Sequence, residues 1–214
     1  MTSKARIYNS DAIDVSYEAR RCIHAAECVR GLPTVFDTEQ RPWIQPAHGE
    51  ADVVAAVVLR CPTGALHFTR KDGGDDEAVP AVNQISIMAD GPLYVRGDVH
   101  VALEHGALHD TRMALCRCGQ SANRPFCDNS HRGAGFADDG LPGQSAKMDS
   151  EMVAGALTVI PAAQGPLLLQ GNFELLDASG KAFFRGDKAA LCRCGGSANK
   201  PFCDGTHKTV NFEG

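Results

Sequence analysis

Two stretches of this chain carry the residue types and spacing that bind metal. Residues 116–131 hold Cys116, Cys118, Cys127 and His131, and residues 192–207 hold Cys192, Cys194, Cys203 and His207. The spacing is C-x-C-x8-C-x3-H both times, so each sixteen-residue window offers three thiolates and one imidazole. Thiolates suit iron–sulfur centres, and thiolate with imidazole also suits zinc. The nine cysteines fall into three groups of three: these two sets, and Cys22, Cys28 and Cys61. An odd number argues against complete disulfide pairing, and no cysteine is left over, so all nine are taken as ligands. Three cysteines and one histidine also suit a tetrahedral structural zinc ion. The first gap, C-x-C, is tighter than the two to four residues usual in zinc sites.

The positioning elements belong to a chain of 214 residues, long enough for two or three small domains. An apolar fraction of 43% with 22% charged residues is that of a globular protein. A net charge of -5, with no Lys or Arg cluster, excludes a nucleic-acid footprint. No apolar run approaches membrane-spanning length, and Met1 to Val15, with Asp11 and Asp14, reads as neither signal nor transit peptide. The expected location is cytoplasmic, with no membrane partner.

The N-terminal cysteines sit among short elements. Arg6–Tyr8 and Ile13–Tyr17 alternate as strands do, and Trp43-Ile44 reads as a further strand after a turn. Residues 50–60 predict a helix burying Ala51, Val54, Ala55 and Val58, stopped by Cys61-Pro62. The residues Cys22-x5-Cys28, Val35-Phe36-Asp37 and Cys61-Pro62-Thr63-Gly64-Ala65-Leu66 resemble a divergent single-cluster bacterial ferredoxin. In that family a further ligand lies between the first two of these cysteines, where this chain has Ala25. The resemblance therefore implies a [3Fe–4S] cluster on Cys22, Cys28 and Cys61. The alternative, [4Fe–4S], would need a fourth ligand from His24, Glu27, water or a partner. Three buried cysteines packing a small core are the bland alternative.

From residue 80 the chain repeats itself. Gly91-Pro92 and Gly165-Pro166 precede the two motifs at corresponding distances, Met113–Leu115 and Ala189–Leu191 enter them alike, and His131–Phe136 matches His207–Phe212 on the way out. The copies differ by about a two-residue insertion in an intervening turn. Asp128 and Asp204 are placed to cap a short helical turn. The expected division is a ferredoxin-like domain over 1–72, a linker over 73–79 that overlaps the polar run Arg70–Glu77, a first repeat over 80–137, a connector over 138–154 and a second repeat over 155–214.

The sixteen-residue motif resembles the CDGSH (mitoNEET-like) iron–sulfur family in C-x-C-x2-Ser, the later proline and Cys-Asp-x-[Ser/Thr]-His. With its flanks the likeness spans the repeat region. The first copy departs at Asn129, where the family has glycine; asparagine best tolerates left-handed geometry in its place. The resemblance implies one [2Fe–2S] cluster per motif, Cys116 and Cys118 on one iron and Cys127 with His131 on the other, and likewise Cys192 and Cys194 opposite Cys203 and His207. One imidazole in place of a thiolate makes the site less negative, so its potential is expected above an all-cysteine ferredoxin and below a two-histidine Rieske centre. The resemblance also implies an α+β fold in which the two repeats of one chain form a pseudo-dimeric β-sandwich plus cluster-binding lobe, following the ferredoxin-like unit, as a monomer with internal pseudo-two-fold symmetry.

Ser121 and Ser197 read either as hydrogen-bond donors to cluster sulfur or as turn residues. Arg117, Arg124, Arg193 and Lys200 read as counter-charges or as solvated loop residues. His100, His105 and His109 are not assigned a metal, because the corresponding part of the second repeat has no histidine. His48 and His67 are expected at the surface and Trp43 in packing. The leading expectation is an iron–sulfur electron-transfer protein serving unidentified redox partner proteins. The alternatives are storage, delivery of clusters to apo-acceptors or redox sensing, and third a zinc-binding interaction module. No nucleophile–base set, phosphate loop or nucleotide motif stands out, so no enzymatic activity is expected.

Overall fold

The structure, a computed structural model, describes residues 5–142, 147–148 and 151–214. Residues 1–4, and residues 143–146 and 149–150 of the expected connector, lie outside the described residues. The chain divides into two units, Met1–Ala78 and Val79–Gly214.

In the first unit, β1 (Arg6–Tyr8), β2 (Ile13–Tyr17) and β3 (Leu66–Arg70) form an antiparallel sheet in the order β1-β2-β3. Strand β2, whose alternate residues Ile13 and Val15 are fully buried, needs a covering element. After the short helix α1 (Glu27–Gly31), helix α2 (Ala51–Val58) supplies it, and all four residues expected on its apolar face are buried. Helix α2 is shorter than the 50–60 expected: Glu50 is its N-cap and Leu59 its C-cap. Trp43-Ile44 is not a strand; Ile44 makes one isolated bridge to Phe36. Too little of that segment is extended to pair further, and Trp43 instead stacks edge-on with Tyr17 at 4.9 Å. The run expected as a linker is fastened down. Arg70 pairs with Asp52 and Asp72, each at 2.7 Å, and His67, expected as a plain surface residue, pairs with Glu77 at 2.9 Å. Those contacts explain why the unit extends to Ala78.

The second unit is built from six strands: β4 (Gln84–Ile87), β5 (Leu93–Leu103), β6 (Gly106–Leu115), β7 (Leu157–Pro161), β8 (Leu167–Leu176) and β9 (Ala182–Leu191). The repeat is visible in the pairing. Each short strand, β4 or β7, runs antiparallel to the next long strand of its own copy and parallel to the long strand of the other copy. The long strands allow this because each is bulged near its middle, between Arg96 and Val99 and between Gln170 and Phe173. A bulge bends a strand and re-aims the residues beyond it. One core results, with Ile85, Val99, Val101, Leu157, Phe173 and Leu191 from both copies fully buried together. The expected insertion falls at the hairpin ends. Leu103 pairs directly with Gly106 in the first copy, whereas Asp177–Lys181 separate the paired ends Leu176 and Ala182 in the second. The fold class is α+β, mostly strand. Among the described residues no helix is long and apolar enough to cross a membrane.

Candidate metal centres

Each motif begins where a long hairpin ends. Leu115 closes β6 and Leu191 closes β9, so Cys116 and Cys192 leave a rigid ladder. The loop then folds back on its own strand. Cys116 N–H donates to Pro125 O at 2.8 Å and Cys127 N–H to Ala114 O at 2.9 Å. The second copy repeats both bonds, Cys192 to Pro201 and Cys203 to Ala190, at 2.8 Å each. The last cysteine thereby returns beside the first two.

The ligand atoms meet in pairs. Cys116 Sγ lies 3.7 Å from Cys118 Sγ, and Cys127 Sγ lies 3.4 Å from His131 Nδ1. The second motif gives 3.8 Å for Cys192–Cys194 and 3.3 Å for Cys203–His207. Two sulfurs on one tetrahedral metal with bonds of about 2.3 Å stand about 3.8 Å apart. The pairs fit one metal each. A single ion would require three or four of these atoms to converge, and they do not. Among the described residues, Asp98, His100 and His109 are the one group of three such ligand atoms mutually within 4.8 Å. The donor sets therefore suit a two-metal centre better than a lone zinc ion. Burial raises the Cys127 and Cys192 thiols, while the hydrogen bond shared with Cys118 lowers Cys116. Burial, with Arg132 and Arg117 nearby, lowers His131 and favours its neutral ring. A neutral imidazole is the ligating form.

Backbone and capping groups hold this shape. The N–H groups of Gln120, Asn129, Gly196 and Gly205 point at Cys118, Cys127, Cys194 and Cys203 sulfurs at 3.4–3.5 Å. Sequence reading did not single them out, because an amide two residues past a cysteine has no side-chain signature. Ser121 and Ser197 resolve as turn residues: each hydroxyl donates to a carbonyl, Phe126 O or Phe202 O, at 2.7 Å. Asp128 Oδ1 accepts the Ser130 N–H at 3.0 Å and hydroxyl at 2.6 Å, and Oδ2 accepts Ala122 N–H at 2.8 Å. Asp204 does the same for Thr206 and Ala198. These carboxylates start the turn that carries the histidine, but Asn129 and Gly205 occupy the cap position itself. Both are left-handed, at φ 75° and 91°, which is why asparagine serves where glycine is expected.

Arg117 and Arg193 are neither solvated nor merely counter-charges. They are buried, and each Nε donates to the carbonyl of the upstream glycine, Gly91 at 2.8 Å or Gly165 at 2.9 Å. Their guanidinium groups lie 5.1 Å over Phe136 and Phe212. They join the Gly-Pro turn to the exit of the motif, which explains why those two features repeat together. Arg124 Nη1 donates to Gly119 O at 3.1 Å, and Lys200 Nζ to Ser197 O at 2.7 Å.

In the first unit, Cys22, Cys28 and Cys61 line one pocket with Tyr17, Ala25, Ala26 and Trp43. The loop from Cys22 to Cys28 holds His24 at φ 55° and Ala26 at φ 65°. A left-handed alanine costs about 1–2 kcal/mol and persists where surroundings over-determine it, commonly at functional sites. Buried Arg21 donates to Thr63 O at 2.6 Å, tying the Cys22 loop to the Cys61 turn. Burial and the neighbouring Cys61 and Cys22 push Cys28 up to about 11. Burial, then a hydrogen bond with Cys22, raises the Tyr17 hydroxyl above its ordinary range. Tyr17 and Arg21 were not singled out from the sequence, since their partners are set by the sheet. The three thiols and the cavity fit a multi-iron cluster with cysteine ligands.

Comparison with known proteins agrees with this chemistry. A family described as "Divergent 4Fe-4S mono-cluster" matches residues 8–71. A second, described as "Iron-binding zinc finger CDGSH type", matches twice, over 90–132 and 164–208. The chain is 36% identical over 66 residues to the uncharacterized protein YjdI of Escherichia coli strain K12, covering 31% of this chain and 87% of that protein. YjdI of Escherichia coli O157:H7 gives the same figures. No solved structure matches. The chain carries a divergent 4Fe-4S mono-cluster domain followed by two CDGSH-type iron-binding repeats.

Proposed function

We propose that this iron–sulfur protein is an electron carrier. It would hold one [2Fe–2S] cluster on Cys116, Cys118, Cys127 and His131, a second on Cys192, Cys194, Cys203 and His207, and a [3Fe–4S] cluster on Cys22, Cys28 and Cys61. The observation that carries the reading is the bridge between Cys118 and Cys194, which joins the ligand loops of the two motifs backbone to backbone. A bound iron–sulfur cluster supplies one-electron redox chemistry. The chain's own residues would bind it, keep the ligating cysteine sulfurs in contact with amide N–H groups and give the two loops a short backbone connection. The crossed strand pairing supports reading the second unit as a pseudo-dimeric sandwich folded within one chain. In the first unit no thiol stands at Ala25, which favours three irons over four. We further propose that the protein acts in the cytoplasm, on redox partner proteins, without turning over a substrate.

Delivery of clusters to apo-acceptors is the second reading, and one observation favours it. Cys118, Cys127 and His131 are buried, whereas Cys194, Cys203 and His207 are partly exposed. The second motif is the one from which a cluster would leave. Mixing holoprotein with an apo-ferredoxin separates the readings. Rapid reduction with the spectrum retained supports the carrier, and transfer of the visible absorbance to the acceptor overturns it in favour of delivery. Zinc without iron in protein purified without oxygen would sink both.

A further inference from the structure

Strand register places two histidines face to face outside the cysteine motifs. His100 on β5 pairs directly with His109 on β6, and their rings stack at 4.3 Å. The bulge after Arg96 sends Asp98 to the same place. Its N–H is taken by Asn83 Oδ1 at 2.9 Å, and its carboxylate shares the face of His100, two residues on. Asp98 Oδ1 stands 3.2 Å from His100 Nε2 and 2.7 Å from His109 Nε2. All three ligand atoms lie within 4.8 Å of one another.

We propose that Asp98, His100 and His109 form a binding site for a divalent transition-metal ion, zinc foremost, on the open face of the β5–β6 hairpin. A tetrahedral ion with bonds of about 2.0–2.1 Å to nitrogen and oxygen sets its ligand atoms about 3.3 Å apart. The 3.2 Å separation to His100 already matches, and the 2.7 Å separation to His109 must open by about 0.6 Å. The side chains are 30%, 42% and 55% exposed, so an ion reaches them without any opening of the fold. Two imidazoles and one carboxylate suit zinc, copper and nickel and disfavour calcium and magnesium. Three protein ligands leave a fourth position open to water or a partner's side chain. Before binding, the carboxylate accepts from both Nε2–H groups. For the ion to take the Nε2 lone pairs, each neutral ring shifts its single proton from Nε2 to Nδ1 through solvent.

The second repeat shows that this rung is specialised. There the corresponding pair is Glu174 and Arg185, one residue past the second bulge. Arg185 Nε donates to Glu174 Oε2 at 3.1 Å, and Gln84 Nε2 to Oε1 at 2.7 Å. A guanidinium on that rung neutralises the carboxylate and, having no lone pair of its own, cannot ligate a metal as His109 can. Absence of histidine from the second copy therefore says nothing against a metal in the first, and the reading from the repeat alone is revised.

The test is titration of zinc into iron-loaded full-length protein by calorimetry, with zinc and iron counted after gel filtration. One zinc per chain is expected. His100→Gln and His109→Gln each weaken binding by about tenfold or more. His105→Gln, in the adjoining turn, leaves it unchanged. The visible iron–sulfur absorbance and iron content stay the same in all variants, which locates the lost zinc away from the cysteines. No saturable binding up to about 1 mM zinc, or equal affinity in both histidine variants and the parent, would overturn the assignment.

Discussion

Cys118 and Cys194 face each other as an antiparallel bridge, so corresponding ligands of the two motifs are joined through their backbones. The contact is reciprocal in detail. A Cβ on Gly119 would meet Cys194 O at 2.7 Å, and one on Gly195 would meet Cys118 O at 2.7 Å. Both glycines are also left-handed, at φ 78° and 82°. Gly119→Ala and Gly195→Ala are each expected to destabilise the second unit by about 1–3 kcal/mol, read as a lower urea midpoint. An unchanged midpoint in both would mean the loops do not touch.

Arg117 is expected to matter for stability more than for charge. Beyond Gly91 it donates to Met88 O and pairs with Asp138, all within the interior. Arg117→Ala leaves the Asp138 carboxylate unpaired and costs about 3–5 kcal/mol. Arg117→Lys keeps the charge but not the fork, so it recovers only part of the loss. Paired denaturation curves check this, and full rescue by lysine would show that charge alone is needed.

The cap positions of the two motifs give opposite responses. Asn129→Gly relieves left-handed strain and is neutral or stabilising by up to about 1 kcal/mol. Gly205→Ala introduces that strain and destabilises by about 1–2 kcal/mol. Thermal unfolding of both variants reads the difference.

Nuclearity in the first unit is open to a single substitution. The proposed three-cysteine cluster with two [2Fe–2S] clusters makes about seven irons per chain. Ala25→Cys supplies a fourth thiol in the same cavity and raises the count to about eight. Iron analysis with electron paramagnetic resonance of the oxidised state checks it, since the [3Fe–4S] signal disappears in the variant. A parent already at eight irons would refute the three-iron assignment.

Asp177 makes one hairpin pH-sensitive. The Ser179 hydroxyl first, then the N–H groups of Lys181 and Ser179, hold its carboxyl below the ordinary range. A depressed carboxyl contributes stability above its unfolded pKa of about 3.9 and loses it as pH falls through the folded value. The Asp177 carboxyl ¹³C shift should therefore still report the ionised form at pH 4. Half-protonation there would contradict the hydrogen bonding.

Much of the chemistry was legible in the chain itself. Cys-x-Cys-x8-Cys-x3-His, its duplication, the three groups of cysteines and the α2 face all depend on residue type and local spacing, which a linear reading preserves. Asn129 was legible for the same reason, because its left-handed angle is a property of one residue. Tertiary structure decided what depends on strand register and long-range closure. The roles of Arg117, Arg193, Arg21 and Tyr17 follow from carbonyls and thiols distant along the chain. Ser121 and Ser197 turned inward to a carbonyl because the loop folds back on its strand. The Cys118–Cys194 bridge needs both copies in one core. His100, His109 and Asp98 converge only because a β-ladder sets two histidines of different strands side by side and a bulge shifts the third residue into place. Spacing along the chain carries no record of those distances.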